Sequence, residues 1–244
     1  MVVFGEYFSN FNRLPVSLWG FLSGNWVTLM VYPEGTIEHI HNICCINGYI
    51  IVQTGDFDSA SNIFIYKENF SNLIRRFTAD QKYRSVWMYE LDAKIYYATD
   101  TQFEANYLIT IPSESLIDNK ADVNRCSEIN GSSIYSCFFN DTIFFSTTVE
   151  PGLPRGSFLK DVFDDKIGPG IKSKESYIYA VDKTGNVLVI LSARKDIFPM
   201  RLFQFGAFKF PYYCLSNKND PLLYVYSNAL TYSSSTLIFE GDLQ

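Results

Sequence analysis

Short runs of β-branched and aromatic residues recur along the chain in groups of four, and the groups repeat with a period of roughly 45–50 residues. One group is IEHIHNICCI (37–46), YIIVQTG (49–55), SNIFIYK (61–67) and NLIRRFT (72–78). The next is RSVWMYEL (84–91), KIYYATD (94–100), NYLITIP (106–112) and a strand near Val123–Ile129. A third runs from SSIYSCFF (132–139) and TIFFSTTV (142–149) to SYIYAV (176–181) and NVLVILS (186–192), with an insertion at about 150–173. Partial groups of three stand at the two ends. They are VVFGEY (2–7), PVSLWGF (15–21) and WVTLMVY (26–32), then a stretch near FQFGAFKF (203–210), LLYVYS (222–227) and TLIFEG (236–241). Gly, Asn, Asp, Ser or Pro bound the runs, as they bound strands. Convincing amphipathic helix patterns are absent. Aromatic residues make up 17% of the chain, which favours strands again.

This is the rhythm of an all-β fold of the β-propeller kind, where each blade is a four-stranded antiparallel meander around a central channel. About five blades are expected, with six as the alternative, in a single domain spanning 1–244. A two-sheet sandwich is the rival, but it gives no reason for the four-strand period. The turns SGNW (23–26) and TGNV (184–187) are read as repeats of one turn type between third and fourth strands.

The chain carries 20 basic and 26 acidic residues, a net charge of −6. A net negative surface is a poor general binder of nucleic acid, whose affinity rests on neutralising phosphates. A local basic pocket for an anionic sugar remains open. Five scattered cysteines (Cys44, Cys45, Cys126, Cys137, Cys214) form neither a disulfide framework nor a CxxC metal site. They are expected to be free and largely buried in a reducing compartment. No apolar run approaches the roughly 20 residues that span a bilayer. The start, MVVFGEYF, lacks a basic region followed by an apolar core. A cytoplasmic location is therefore expected if the chain begins where its gene does.

Acids recur at one position of the repeat. Second strands end in GEY, TGD, ATD and VEP, placing Glu6, Asp56, Asp100 and Glu150 in phase; Ser227-Asn228 holds the matching place in the last group. In a propeller the start of the first strand and the end of the second meet on one face. His39 and His41, the chain's only histidines, open one first strand, and Arg84 is read as opening the next. Strand alternation turns the two imidazoles to the same side. These residues are expected to converge at one channel mouth. The plain alternative is turn chemistry, because an acid after a strand bonds the backbone two residues on. His-x-His is also more often a structural pair than a metal site, and no residue is assigned to a metal or cofactor at this point.

At these residues the chain resembles the BNR/Asp-box, sialidase-like β-propeller proteins of bacteria, in a branch that carries GEY, HxH, TGD, TD and EP motifs. Here they are GEYF (5–8), HIH (39–41), QTGD (53–56), YYATDT (96–101) and VEPG (149–152). The resemblance covers most of the chain, in order. The Asp-box is degenerate: LWGFLSGNW (18–26) keeps a Trp and a Gly but lacks the Asp. Relatives are expected to carry more sequence before GEY, so part of the first blade is expected to be missing or shared. The resemblance implies an arginine cluster for a sugar carboxylate and a Tyr–Glu nucleophile pair. Tyr7 lies beside Glu6, but neighbours in a strand point to opposite faces. Arg84, Arg155 and Arg125 are the candidates for an anion, and they make no sialidase pattern.

The expected function is that of a carbohydrate-active protein. Two carboxylates flanking a glycosidic bond suffice for hydrolysis. Asp56, Asp100, Glu150 and Glu6 are the catalytic candidates. His39, His41, Arg84, Tyr7, Arg155 and Asn228 are the substrate contacts. A lyase would use a histidine or tyrosine base, and a metal could sit among His39, His41 and the acids. The other readings are a non-catalytic glycan-binding or scaffold propeller, and a role in surface-polysaccharide assembly.

Overall fold

The computed structural model describes residues 1–118, 123–153, 156–211, 222–231 and 235–240, with side chains throughout except at 158–160. The fold is all-β, with five sheets, one six-residue α-helix and three short 3-10 turns among the described residues. The first sheet has three strands, β1 (Val2–Gly5), β2 (Val16–Leu22) and β3 (Asn25–Tyr32), in that order. The second holds β4 (His39–Ile46), β5 (Tyr49–Gly55), β6 (Asn62–Lys67) and β7 (Leu73–Thr78). The third holds β8 (Tyr89–Leu91), β9 (Lys94–Ala98), β10 (Asn106–Pro112) and β11 (Asn124–Ile129).

The last two sheets interleave in sequence. β12 (Tyr135–Phe139), β13 (Thr142–Ser146), β15 (Glu175–Val181) and β16 (Val187–Arg194) make the fourth. β14 (Thr148–Val149), β17 (Gly206–Lys209), β18 (Leu222–Asn228) and β19 (Thr236–Glu240) make the fifth. The expected strand TIFFSTTV is thus two strands belonging to different sheets. The break falls at Thr147, whose N–H donates to the Tyr177 carbonyl while its Oγ1 accepts from the Tyr177 N–H. The expected insertion is present between β14 and β15 and carries the helix α1 (Phe158–Phe163).

The four-strand repeat has a physical marker in its hairpins. The turns Asn47-Gly48, Asp92-Ala93 and Asn140-Asp141 each have two residues at positive φ and join the first two strands of successive sheets. Two positive φ values define the type I′ hairpin, whose twist matches that of the strands it connects. SGNW and TGNV do not share a turn type. Ser23-Gly24 is a two-residue turn between β2 and β3, since Leu22 pairs with Asn25. Residues 182–186 form a longer loop, because Val181 pairs with Val187. There the Asp182 carboxylate accepts from the backbone N–H of Thr184 and of Asn186.

The chain divides into two compact units, Met1–Thr99 with Ile109–Asn124, and Asp100–Leu108 with Arg125–Gln244. The first is centred on Val16, Leu18, Tyr32, Ile40, Val52, Phe64 and Tyr66, which bring the first two sheets together. The second is centred on Phe139, Phe144, Ile178, Phe208, Leu223 and Val225 of the fourth and fifth sheets. No helix among the described residues is long and apolar enough to cross a membrane.

Candidate functional site

The site lies in the first unit, where β4 begins and β5 ends. His39 pairs with Gly55 across the ladder, so the strand that starts with the histidines runs beside the one that delivers Asp56. His41 is the extra residue of a β-bulge between Ile40 and Asn42. A bulge interrupts alternation and re-aims a side chain, so strict alternation is not what brings the rings together. They converge all the same: His39 Nε2 lies 2.9 Å from His41 Nε2.

Asp56 meets both rings. His41 Nε2 is 3.2 Å from its Oδ1, and His39 Nε2 is 3.6 Å from its Oδ2. Arg84 binds the same residue twice, with Nη2 at 2.9 Å from Oδ1 and Nη1 donating to the backbone carbonyl at 3.1 Å. Gln81 Nε2 donates to that carbonyl too, at 3.0 Å. Burial alone would raise the Asp56 pKa. Hydrogen bonds with His39 and His41 and the Arg84 charge outweigh it and hold the carboxyl well below the usual carboxylate range. His39 is 5% exposed, whereas the Asp56 side chain keeps 33% of its surface. The ring of Tyr7, itself exposed, sits 4.2 Å from the His39 ring centre.

Arg84 does not open a strand. Its N–H closes a 3-10 turn, Gln81–Tyr83, by donating to the Gln81 carbonyl, and β8 starts only at Tyr89. The intervening residues bond the second sheet instead. His41 Nδ1 faces the Ser85 carbonyl at 3.3 Å, and Gln53 Nε2 donates to Ser85 Oγ.

The other expected residues go elsewhere. Both Glu6 carboxylate oxygens are taken by the neighbouring strand, from the Ser17 N–H at 2.6 Å and Trp19 Nε1 at 3.0 Å. Glu6 thus ties β1 to β2, while Tyr7 turns to the histidines, as opposite faces require. Asp100 and Glu150 are buried members of the second unit. Glu150 follows β14, the first strand of its sheet, so it stands out of phase with Asp56 and Asp100, which follow second strands. It accepts a hydrogen bond from Thr148 Oγ1. Asn228 lies in a separate groove of about 430 Å3 with Tyr135, Arg201, Phe203 and Lys209, and donates to Gln204 Oε1. Arg125 stacks over the Tyr107 ring at 4.5 Å. Arg155 lies outside the described residues.

Four residues escaped the sequence reading. Gln81 and Ser85 sit in a segment read as strand or ignored, and only the turn geometry reveals them. Glu38, next to His39 in the sequence, is 4% exposed. Burial and the nearby Asp56 charge raise its pKa against the pull of Arg13. Gly55 reads in the sequence only as the last residue of the strand YIIVQTG (49–55).

No family model matches the chain, and no curated protein matches it. Among solved structures, an apocarotenoid oxygenase of Synechocystis, solved as a point mutant, is similar with a TM-score of 0.44 at 11% identity. The match covers 96% of this chain and 55% of that one, so the chain spans about half the oxygenase's length. A functionally unknown protein from Desulfotomaculum acetoxidans is similar with a TM-score of 0.36 at 11% identity, over 96% of this chain and 84% of that one. Neither likeness bears on what the site does.

Proposed function

We propose that the five sheets are blades of a β-propeller and that the protein is carbohydrate-active, with the His39–His41–Asp56–Arg84 cluster as its ligand site. One observation carries this reading. An ionised carboxylate, still partly open to solvent, is held between an arginine and two imidazoles beneath the exposed ring of Tyr7. A hydroxyl-rich ring with an acidic group meets its needs in such a place. The carboxylate and imidazoles take hydroxyls, Arg84 takes the acid, and the aromatic face takes the apolar side of the sugar. Hydrolysis would need a second carboxylate beside the scissile bond, so the chemical step is a further claim than binding.

The test is calorimetric titration of the protein with hexuronate and neutral hexose oligosaccharides. At least one acidic sugar is expected to bind, and Asp56→Asn and Arg84→Gln are each expected to weaken it 10-fold or more, on the order of one or two charge-assisted hydrogen bonds. Binding by none of the panel, or binding indifferent to both substitutions, would overturn the reading.

A further inference from the structure

We propose that His39 Nε2, His41 Nε2 and the Asp56 carboxylate form a binding site for one divalent first-row transition-metal ion. The inference concerns the same residues as the sugar site but stands on their own geometry, with or without a sugar ligand.

The first argument is convergence. The three donor groups are fixed at the ends of two paired strands, and one ligand atom from each lies within 4.8 Å of the others. The separations are 2.9 Å between the two Nε2 atoms, 3.2 Å from His41 to Oδ1 and 3.6 Å from His39 to Oδ2. Donors about 2.0–2.2 Å from one ion stand roughly 3–3.5 Å apart, between octahedral and tetrahedral geometry. The separations, taken from each ring to its nearer carboxylate oxygen, are close to that size, and a small turn of the carboxylate presents Oδ2 to both rings.

The second argument counts hydrogens. The Ser85 carbonyl can only accept, so His41 Nδ1 carries the proton that faces it. That bond fixes the ring's orientation and turns Nε2 toward Asp56 and His39. A backbone carbonyl on the far nitrogen is the usual support of a metal-bound imidazole. Only one proton fits between the two Nε2 atoms, and the carboxylate offers none. His39 Nδ1 is buried with no hydrogen-bond partner, on a ring 5% exposed, so no partner at that nitrogen sets the ring's position. Three groups that can each bind a metal through a lone pair thus face one another in a confined space, and a cation at their centre would satisfy all three at once.

The third argument is what remains free. Arg84 takes Oδ1, which leaves Oδ2 for the ion. Three protein ligands do not fill a coordination shell, so water or a ligand oxygen completes it, the pattern of sites that act on a substrate. Two imidazoles and one carboxylate select zinc, iron, cobalt or nickel over calcium and magnesium.

The chain has only two histidines, which makes the test direct. An imidazole nitrogen NMR spectrum of the full chain, stripped with chelator, contains only the two rings at issue. One equivalent of Zn2+ is expected to shift both Nε2 signals, and Co2+ is expected to bind one per chain with visible absorption bands that Zn2+ abolishes. His41→Gln and Asp56→Asn are expected to weaken Co2+ binding beyond the roughly 10–100-fold that follows loss of an outer partner, with circular dichroism confirming the fold. Imidazole signals unmoved by millimolar Zn2+ in the unaltered chain would overturn the proposal whatever the variants do. The titration contains no sugar. Metal binding without sugar binding removes only the carbohydrate reading, and the converse removes only this one.

Discussion

Gly55 is the residue that makes room for the site. A Cβ built there would fall 2.8 Å from His41 Nε2 and closer still to the ring carbon beside it. The ring has nowhere simple to go, with His39 on one side and the Ser85 carbonyl on another. Gly55→Ala is therefore expected to displace His41, to abolish stoichiometric Co2+ binding and to cost about 1–3 kcal/mol, the usual range for overpacking. Chemical denaturation and metal titration read the two effects. Unchanged stability and metal binding would show that the ring has slack. The sequence displayed TGD plainly, but a glycine that serves a close approach looks the same there as one that serves a turn. The cysteines mark a similar limit at this scale. None of the four described ones is in a disulfide, as expected, but Cys45 and Cys126 are exposed, not buried. Burial pushes the Cys44 thiol up to about 12, and Cys137 is 3% exposed. The thiolate is the reactive form, so alkylation at pH 8 is expected to mark Cys45 and Cys126 in the native protein. Cys44, half-buried with its thiol held protonated, and Cys137 should react only after unfolding, as read by mass spectrometry; early labelling of Cys44 would contradict its raised pKa.

Between elements, the hairpins that open successive sheets differ in how well sequence suits conformation. All three place two residues at positive φ, yet only Asn47-Gly48 uses the pair that does so at little cost. Asp92-Ala93 puts an alanine at φ 58°, where L residues are strained by about 1–2 kcal/mol. Gly48→Ala, which meets no atom within 4 Å, should lower stability by roughly 1 kcal/mol through backbone strain alone. Ala93→Gly should raise it, less the entropy that glycine loses on folding. Thermal melts of the two variants should move in opposite directions. Tyr32 of β3 and Tyr66 of β6 join the first two sheets through hydroxyls 3.0 Å apart in a buried core. Burial raises both phenols, so they stay protonated through the ordinary tyrosine range. Either Tyr→Phe change should cost about 1–3 kcal/mol by orphaning the other hydroxyl, and the double change much less than their sum. These elements also show where legibility ended. Most strands were readable because β-branched and aromatic residues crowd into short runs between turn formers. RSVWMYEL reads as one of them, yet Arg84 through Met88 lie outside the ladder, with Ser85 and Trp87 bonded to side chains of the second sheet. TIFFSTTV reads as a single strand because nothing in its composition announces that two sheets share it.

At the level of the whole chain, the period was legible, and so was the nearness of His39, His41 and Asp56, since both follow from which strand ends adjoin; Arg84 reaches Asp56 from a 3-10 turn and not from the strand start expected for it. The supposed phase of Glu150 was not, because it depended on β13 and β14 being one strand. The distinction between Glu6 and Asp56 was equally hidden. Both follow a strand, but one carboxylate is consumed by Ser17 and Trp19 while the other faces two imidazoles. The two compact units supply a last consequence. Each has its own buried apolar centre, Leu18 at 0% exposure in the first and Phe208 at 0% in the second. Cutting Leu18→Ala removes buried methyls from the first centre at about 2–5 kcal/mol, and Phe208→Ala removes a ring from the second at about 3–5 kcal/mol. Local stability follows local burial. Hydrogen exchange in the Leu18 variant should therefore quicken first in β2 to β6 while β15 to β18 keep their protection. The Phe208 variant should do the reverse. If either substitution releases both groups of strands at the same rate, the two centres unfold as one cooperative body and the division into units has no energetic meaning.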